Sequence, residues 1–154
     1  MLSRKLYKDW MAETQRAKLK QIVSRVKPKG RILDVGAGPG FLEELLPDAV
    51  ATDVDSENIK LIKGLKVLAS GDALPFKKGS FDTVFCIDTL HLLKGVSELR
   101  RVARAGGRIV AGMFCNEHNF GEMQARLGHL FPGQQESFLI KAPQEWETVV
   151  IVPG

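Results

Sequence analysis

The sequence predicts an α/β domain: a three-layer, doubly wound sheet of seven strands, mostly parallel, with an antiparallel C-terminal pair. Three observations carry that expectation. Apolar stretches of strand length alternate with helical patterns from residue 31 to residue 130, the order that a parallel sheet covered by helices on both faces requires. The first strand, Arg31-Ile-Leu-Asp-Val35, runs straight into glycines at every second position, Gly36, Gly38 and Gly40. Near the end of the chain, Ser137 to Lys141 and Thr148 to Val152 are separated only by Ala142-Pro-Gln-Glu-Trp-Glu147. That gap is too short for a crossover helix, so these two strands should pair antiparallel.

Each element follows from local pattern. Between Tyr7 and Val26 the apolar residues Trp10, Met11, Ala17, Leu19, Ile22, Val23 and Val26 recur at mostly helical spacing, and Pro28 and Gly30 stop that helix. After the glycine turn, Phe41 to Leu46 forms a short helix. Val50 to Val54 is the second strand and Glu57 to Lys63 the next helix, for which Asp55 or Ser56 is the natural cap. Val67 to Ala69 is a brief third strand, and Phe81 to Ile87 a fourth. Val96 to Ala105 is expected to be helical, with Leu99, Val102 and Ala103 inward, Arg100, Arg101 and Arg104 outward, and Gly106-Gly107 as its stop. Arg108 to Met113 is the fifth strand and His118 to Leu130 the last helix.

Composition narrows the class. At 154 residues, 44% hydrophobic and 26% charged, the chain has the size and balance of one globular domain. It divides into a leading basic helix (1–27), a ligand-binding core (30–113) and a helix with a strand hairpin (114–154). Apolar runs are shorter than the roughly 20 residues of a membrane helix. The start, Met1-Leu-Ser-Arg-Lys-Leu-Tyr7, has no apolar segment behind its basic residues, which argues against a secretory leader. Two cysteines, Cys86 and Cys115, make neither a disulfide framework nor a metal knot; a cytoplasmic protein with buried thiols and no metal is expected. The net charge of +4 is concentrated in the first 31 residues. A basic helix there fits a solvated face, and would also serve an anionic substrate or RNA.

The acidic residues after the strands carry the chemistry. Asp53 ends the second strand and Asp72 follows the third. A carboxylate at the end of the second strand is placed to accept hydrogen bonds from a ribose diol. A dinucleotide site wants Gly-x-Gly-x-x-Gly facing a pyrophosphate; here the third glycine comes one residue early, after Pro39, and the second acid is unexplained by that scheme.

Taken together, the strand with Gly36-x-Gly38-x-Gly40, the acid-ended second strand, Gly71-Asp-Ala-Leu-Pro-Phe76, Ser80-Phe-Asp-Thr-Val-Phe85 and Arg101-Val-Ala-Arg-Ala-Gly-Gly-Arg108 resemble the class I S-adenosylmethionine-dependent methyltransferases. The likeness is to the small type 11 branch that also holds the ubiquinone and menaquinone C-methyltransferases, and it implies a Rossmann-like seven-stranded sheet. It further implies that Asp34, Gly36, Ala37, Gly38 and Gly40 lie beneath the methionine part of the cofactor. Asp53 would hold the ribose and Val54 pack on the adenine. Asp72 and Ala73 would meet the adenine amino edge, and Cys86 and Ile87 line the methyl-transfer site.

Methyl transfer from a sulfonium is an in-line displacement that mainly needs alignment and exclusion of water. A base helps when the acceptor is a hydroxyl or an acidic carbon; Asp88 and His91, just after the fourth strand, are the candidates. The family often has two histidines here, whereas Thr89-Leu-His-Leu-Leu93 keeps one. Tyr7 and Trp10 on the leading helix could touch the acceptor or pack in the core, and Phe114 to Phe131 would form the other wall. No Asn/Asp-Pro-Pro-Tyr/Phe motif follows the fourth strand, which disfavours amino-group methylation of the kind seen in nucleic-acid and glutamine methyltransferases. The expected acceptor is a small molecule, with RNA or a partner-activating role as alternatives. The site is either small and open or completed by a second chain, as in a dimer.

Overall fold

The computed structural model describes residues 4–154, the side chains of residues 4–8 and of Trp10 excepted. Helix α1, Arg4–Val26, buries Thr14, Lys18, Ile22 and Val26, each four residues after the last, together with Leu19. Every fourth position on one face is the helical signature of burial. The lysine in that row is a departure from the expected solvated basic face.

The sheet strands are β1 (Ile32–Val35), β2 (Val50–Asp53), β3 (Lys66–Leu68), β4 (Phe81–Ile87), β5 (Ala103–Cys115), β6 (Glu136–Lys141) and β7 (Trp146–Pro153). They form one sheet in the order β3-β2-β1-β4-β5-β7-β6. The first five run parallel, and β7 lies antiparallel between β5 and β6. Helices α2 (Phe41–Leu45), α3 (Ser56–Leu61), α4 (Ser97–Val102) and α5 (Phe120–Leu130) complete the layers. From β1 the chain moves one way to β2 and β3, then returns to build β4 and β5 on the other side. The β1–β4 junction is therefore the switch point, where doubly wound sheets open a ligand crevice at the strands' carboxyl ends.

Strand alternation feeds two cores. Leu33, Val84, Leu99, Ile109, Leu127 and Phe131 pack on one face, and Leu19, Ile22, Phe85, Val110, Phe138 and Val149 on the other. Neighbours such as Val84 and Phe85 point to opposite sides, as the pleat requires.

Two expectations need correction. Helix α4 stops at Val102, and Ala103 to Ala105 already belong to β5. Ala103 pairs with Phe81, after which the ladder shifts register before Thr83 meets Arg108; a bulge, not a helix end, takes up Gly106-Gly107. Arg101 is not an outward solvated residue either. Its guanidinium donates to Leu74 O at 2.8 Å and Phe76 O at 2.7 Å and pairs with Glu98. Glu98 Oε1 in turn accepts from Leu74 N–H at 2.9 Å. This clamp from α4 shapes the loop after β3.

Candidate active site

The glycine turn is tied to β2 at several points. Gly36 and Ala37 N–H both donate to Thr52 O at 2.9 Å, and Gly38 N–H donates to Asp53 Oδ2 at 2.8 Å. The other Asp53 oxygen accepts from Asp55 N–H at 2.9 Å, so one carboxylate braces the turn and the end of β2. Capping of α3 falls to Asp55, whose Oδ1 accepts from Glu57 N–H at 2.9 Å.

The first two glycines serve different needs. Gly36 has φ 75°, and a Cβ there would lie 2.1 Å from Thr89 Oγ1, so it makes room for Thr89. Gly38 has φ 58°, and a Cβ there would meet nothing within 4 Å. It borders open space.

That space is a cleft of about 190 Å³ between the turn, α1 and the end of β4, lined by Gln15, Leu19, Asp34, Gly38, Ile87 and Asp88. Gly36, Ala37 and Thr89 also border it, while Gly40 caps α2 at φ 93°. Cys86 does not reach the cleft: it is fully buried in the core. Adjacent strand residues face opposite sides, so only Ile87 of that pair faces it. Val54 stands 69% exposed beyond β2. Asp72 holds Lys94 N–H with Oδ1 at 2.9 Å and Oδ2 at 3.2 Å. Ala73 N–H donates to Ser70 O at 3.0 Å. These three lie farther along the same sheet edge.

Asp88 closes the cleft floor in a left-handed conformation, φ 57°, a strained state for a residue with a Cβ. Its N–H donates to Gly112 O at 3.0 Å, and its Oδ2 lies 3.2 Å from Lys18 Nζ. Lys18 is fully buried and also meets Glu147 Oε1 at 2.9 Å and Glu145 Oε2. Sequence reasoning missed this cluster, whose partners lie 70 to 129 residues from Lys18 in the chain. The available signal was a lysine in phase with Ile22 and Val26. Burial alone would push the Lys18 ammonium down, but Glu147, Asp88 and Glu145 outweigh it and hold it above the ordinary lysine value.

Burial pushes Asp34 well above the usual carboxyl range, reinforced by Glu43 on α2 and Asp53 on β2. Glu43 and Glu147 are likewise raised by burial, Glu147 also by Asp88. A carboxyl raised on folding favours the fold below its ordinary range of about pH 4–4.5, and that contribution is lost as pH rises through the raised value. The melting temperature of the free protein should therefore fall from pH 5 towards pH 8. In Glu43→Gln that slope should be shallower, as thermal melts across the range would read.

A second cavity, of about 470 Å³, begins at the residue after Thr89. It is lined by Leu90, His91, Met113, Ala125, His129 and Leu130, between a 3₁₀ turn at Leu90–Leu92 and α5. The His91 ring meets Phe114 edge-on at 6.3 Å. His129 carried no expectation from sequence because it sits alone in an amphipathic helix. Tyr7 and Trp10 fall on α1, where their side chains lie outside the described residues.

A family model described as a methyltransferase domain matches residues 33–111, half of the chain, spanning the turn, the Thr89–His91 segment and most of β5. The chain belongs to the class I S-adenosylmethionine-dependent methyltransferases. It is 32% identical over 127 residues to an uncharacterized protein of Methanocaldococcus jannaschii, covering 76% of this chain and 62% of that one. It is 29% identical over 130 residues to the ubiquinone/menaquinone biosynthesis C-methyltransferase UbiE of Burkholderia mallei, covering 71% of this chain and 51% of that protein. The chain thus spans only 62% and 51% of these two relatives' lengths. A SAM-dependent methyltransferase from Thermotoga maritima superposes with a TM-score of 0.76 at 15% identity, over 96% of this chain and 94% of that one, and so shares the methyltransferase fold.

The cleft suits the family's cofactor on its own chemistry. S-adenosylmethionine carries positive centres and no phosphate. Among the described residues, those bordering the cleft include no lysine or arginine but two carboxyls, Asp34 and Asp88, and Asp88 Oδ1 is buried without a hydrogen-bond partner.

Proposed function

We propose that this methyltransferase acts on a small, largely apolar acceptor held in the cavity between the 3₁₀ turn and α5. The observation that carries this reading is that consecutive residues border the two cavities. Thr89 borders the cofactor cleft, and the next two residues, Leu90 and His91, line the apolar cavity. Leu92 and Phe114 stand 70% and 52% exposed beside His91, which suits an apolar acceptor approaching from that side. The Burkholderia relative is named as a C-methyltransferase of ubiquinone/menaquinone biosynthesis, and an acceptor with a hydroxylated ring fits this lining.

In this reading the turn from Gly36 to Gly40, with Asp34, carries the methionine part of the cofactor, and Asp53 accepts from the ribose. Val54 packs on the adenine, with Asp72 and Ala73 at its amino edge, and Ile87 flanks the transfer site. When bound, S-adenosylmethionine supplies a methyl group already activated on sulfur. The apolar walls exclude water and fix the acceptor's approach. Asp88 or His91 accepts the proton that an acceptor hydroxyl or acidic carbon gives up. The basic first segment supports RNA less well, because Lys18 is buried, Arg16 pairs with Glu44, and Arg25 lies over the Phe138 ring.

Calorimetry with S-adenosylmethionine, S-adenosylhomocysteine and NAD tests the cofactor half. Binding of the first two without NAD is expected, and NAD binding alone would overturn it. For the acceptor half, His91→Ala should lower turnover of a hydroxylated aromatic acceptor about 100-fold while leaving cofactor affinity within twofold. Unchanged turnover would remove His91 from the chemistry.

A further inference from the structure

The carboxyls around the cofactor cleft outnumber their cations. Asp34, Glu43 and Glu147 are all buried, and Asp88 and Glu145 sit beside Lys18. Lys18 is the sole ammonium in contact with any of them among the described residues. Five buried side-chain oxygens in the described residues have no hydrogen-bond partner. Four belong to this set: both Glu43 oxygens, Asp88 Oδ1 and Glu147 Oε2.

The placement is structural. Glu147 reaches into room left by a missing side chain, since a Cβ on Gly112 would lie 2.6 Å from Glu147 Oε2. The Gly112 carbonyl is also the one that holds Asp88 N–H. Asp88 and Glu147 thus share two neighbours, Lys18 and Gly112. Asp34 faces Glu43 from α2 and Asp53 from β2, with the Cys86 thiol of β4 beside it. Glu147 faces Lys18 from α1, Asp88 after β4 and Cys115 of β5. Buried carboxylates without partners are strongly disfavoured and ordinarily take up a proton. A proton on Glu147 turned to Asp88 Oδ1 satisfies both orphan oxygens; one on Asp34 turned to Glu43 satisfies one of the two Glu43 oxygens.

We propose that the cleft binds its cationic cofactor by proton exchange: the Asp34–Glu43 and Asp88–Glu147 pairs each hold a proton in the free protein, and entry of a positive centre sends one to solvent. The inference rests on the cofactor assignment above. Charge balances: one positive charge enters and one proton leaves. S-adenosylmethionine carries one more positive charge than its thioether product, so only the substrate form drives the exchange. The site then favours loading over product retention.

The test is calorimetry of the full chain at pH 7 in phosphate and in Tris, whose ionisation enthalpies differ. The difference in observed heat reads the protons released. S-adenosylmethionine should release about one proton, with affinity rising up to about tenfold per pH unit. S-adenosylhomocysteine should release much less. Glu147→Gln and Glu43→Gln should each reduce the release. If those variants do not fold, the unmodified protein still decides. Its infrared carbonyl band from a protonated carboxyl should fade on adding S-adenosylmethionine and persist with the thioether. Binding with equal release for both ligands, or with none, overturns proton exchange and leaves the cofactor assignment standing. Absence of binding by either ligand overturns both.

Discussion

Lys18→Met should destabilise the protein by about 3–5 kcal/mol, the usual cost of removing one partner from a buried charge cluster. For a domain of this size that corresponds to a melting temperature lower by about 6–20 °C. Lys18 is fully buried, and its ammonium is the meeting point of Asp88, Glu145 and Glu147. Its removal strips Asp88, Glu145 and Glu147 of the ammonium they share and frees α1 from the floor of the cleft. Were Lys18 merely part of a solvated basic face, the same substitution would change stability by no more than about 0.5 kcal/mol. Chemical unfolding separates the two outcomes. The double variant Lys18→Met/Glu147→Met supplies a control, since removing both partners of the contact should cost less than the sum of the single changes. Strict additivity would mean that the two groups do not interact.

Most of the strand framework was legible because the strands are short, largely apolar and bounded by turn residues. β4 matches its expected span, Phe81–Ile87, and the hairpin gap rightly implied an antiparallel β6–β7 pair. The region after Leu99 was not. Arg-Val-Ala-Arg-Ala is a good helix sequence locally, but Ala103 is drawn into the sheet by Phe81, a pairing that propensity cannot register. The cleft's glycine turn and the Asp34, Asp53 and Asp88 positions were legible because strand ends are marked by composition. The paired groups behind them were not. Glu43 reads as an ordinary exposed helix residue, and Glu147 as the end of a loop. Their burial follows from contacts with residues distant in the chain. A charged residue falling on an otherwise apolar helical phase, as Lys18 does, was the one local hint.

Asp53→Ala is expected to weaken cofactor binding about 100-fold or more, because a carboxylate accepting from a diol makes charge-assisted bonds worth about 1.5–3 kcal/mol each. The substitution also frees the Gly38 N–H that Asp53 Oδ2 accepts at 2.8 Å, so the turn beneath the cofactor loses its brace as well. Asn is a poor substitute. Both Asp53 oxygens accept backbone N–H bonds, and an amide would turn its NH₂ towards one of those donors. The ribose is common to S-adenosylmethionine and S-adenosylhomocysteine, so the Asp53 variant should weaken both by the same factor. Loss of Glu147 or Glu43 should instead change the ratio between them, because only one ligand carries the sulfonium. Measuring both dissociation constants in Asp53→Ala and in Glu147→Gln therefore separates sugar recognition from charge recognition. An Asp53 variant that melts lower yet binds both ligands unchanged would reduce that carboxylate to a brace for the turn.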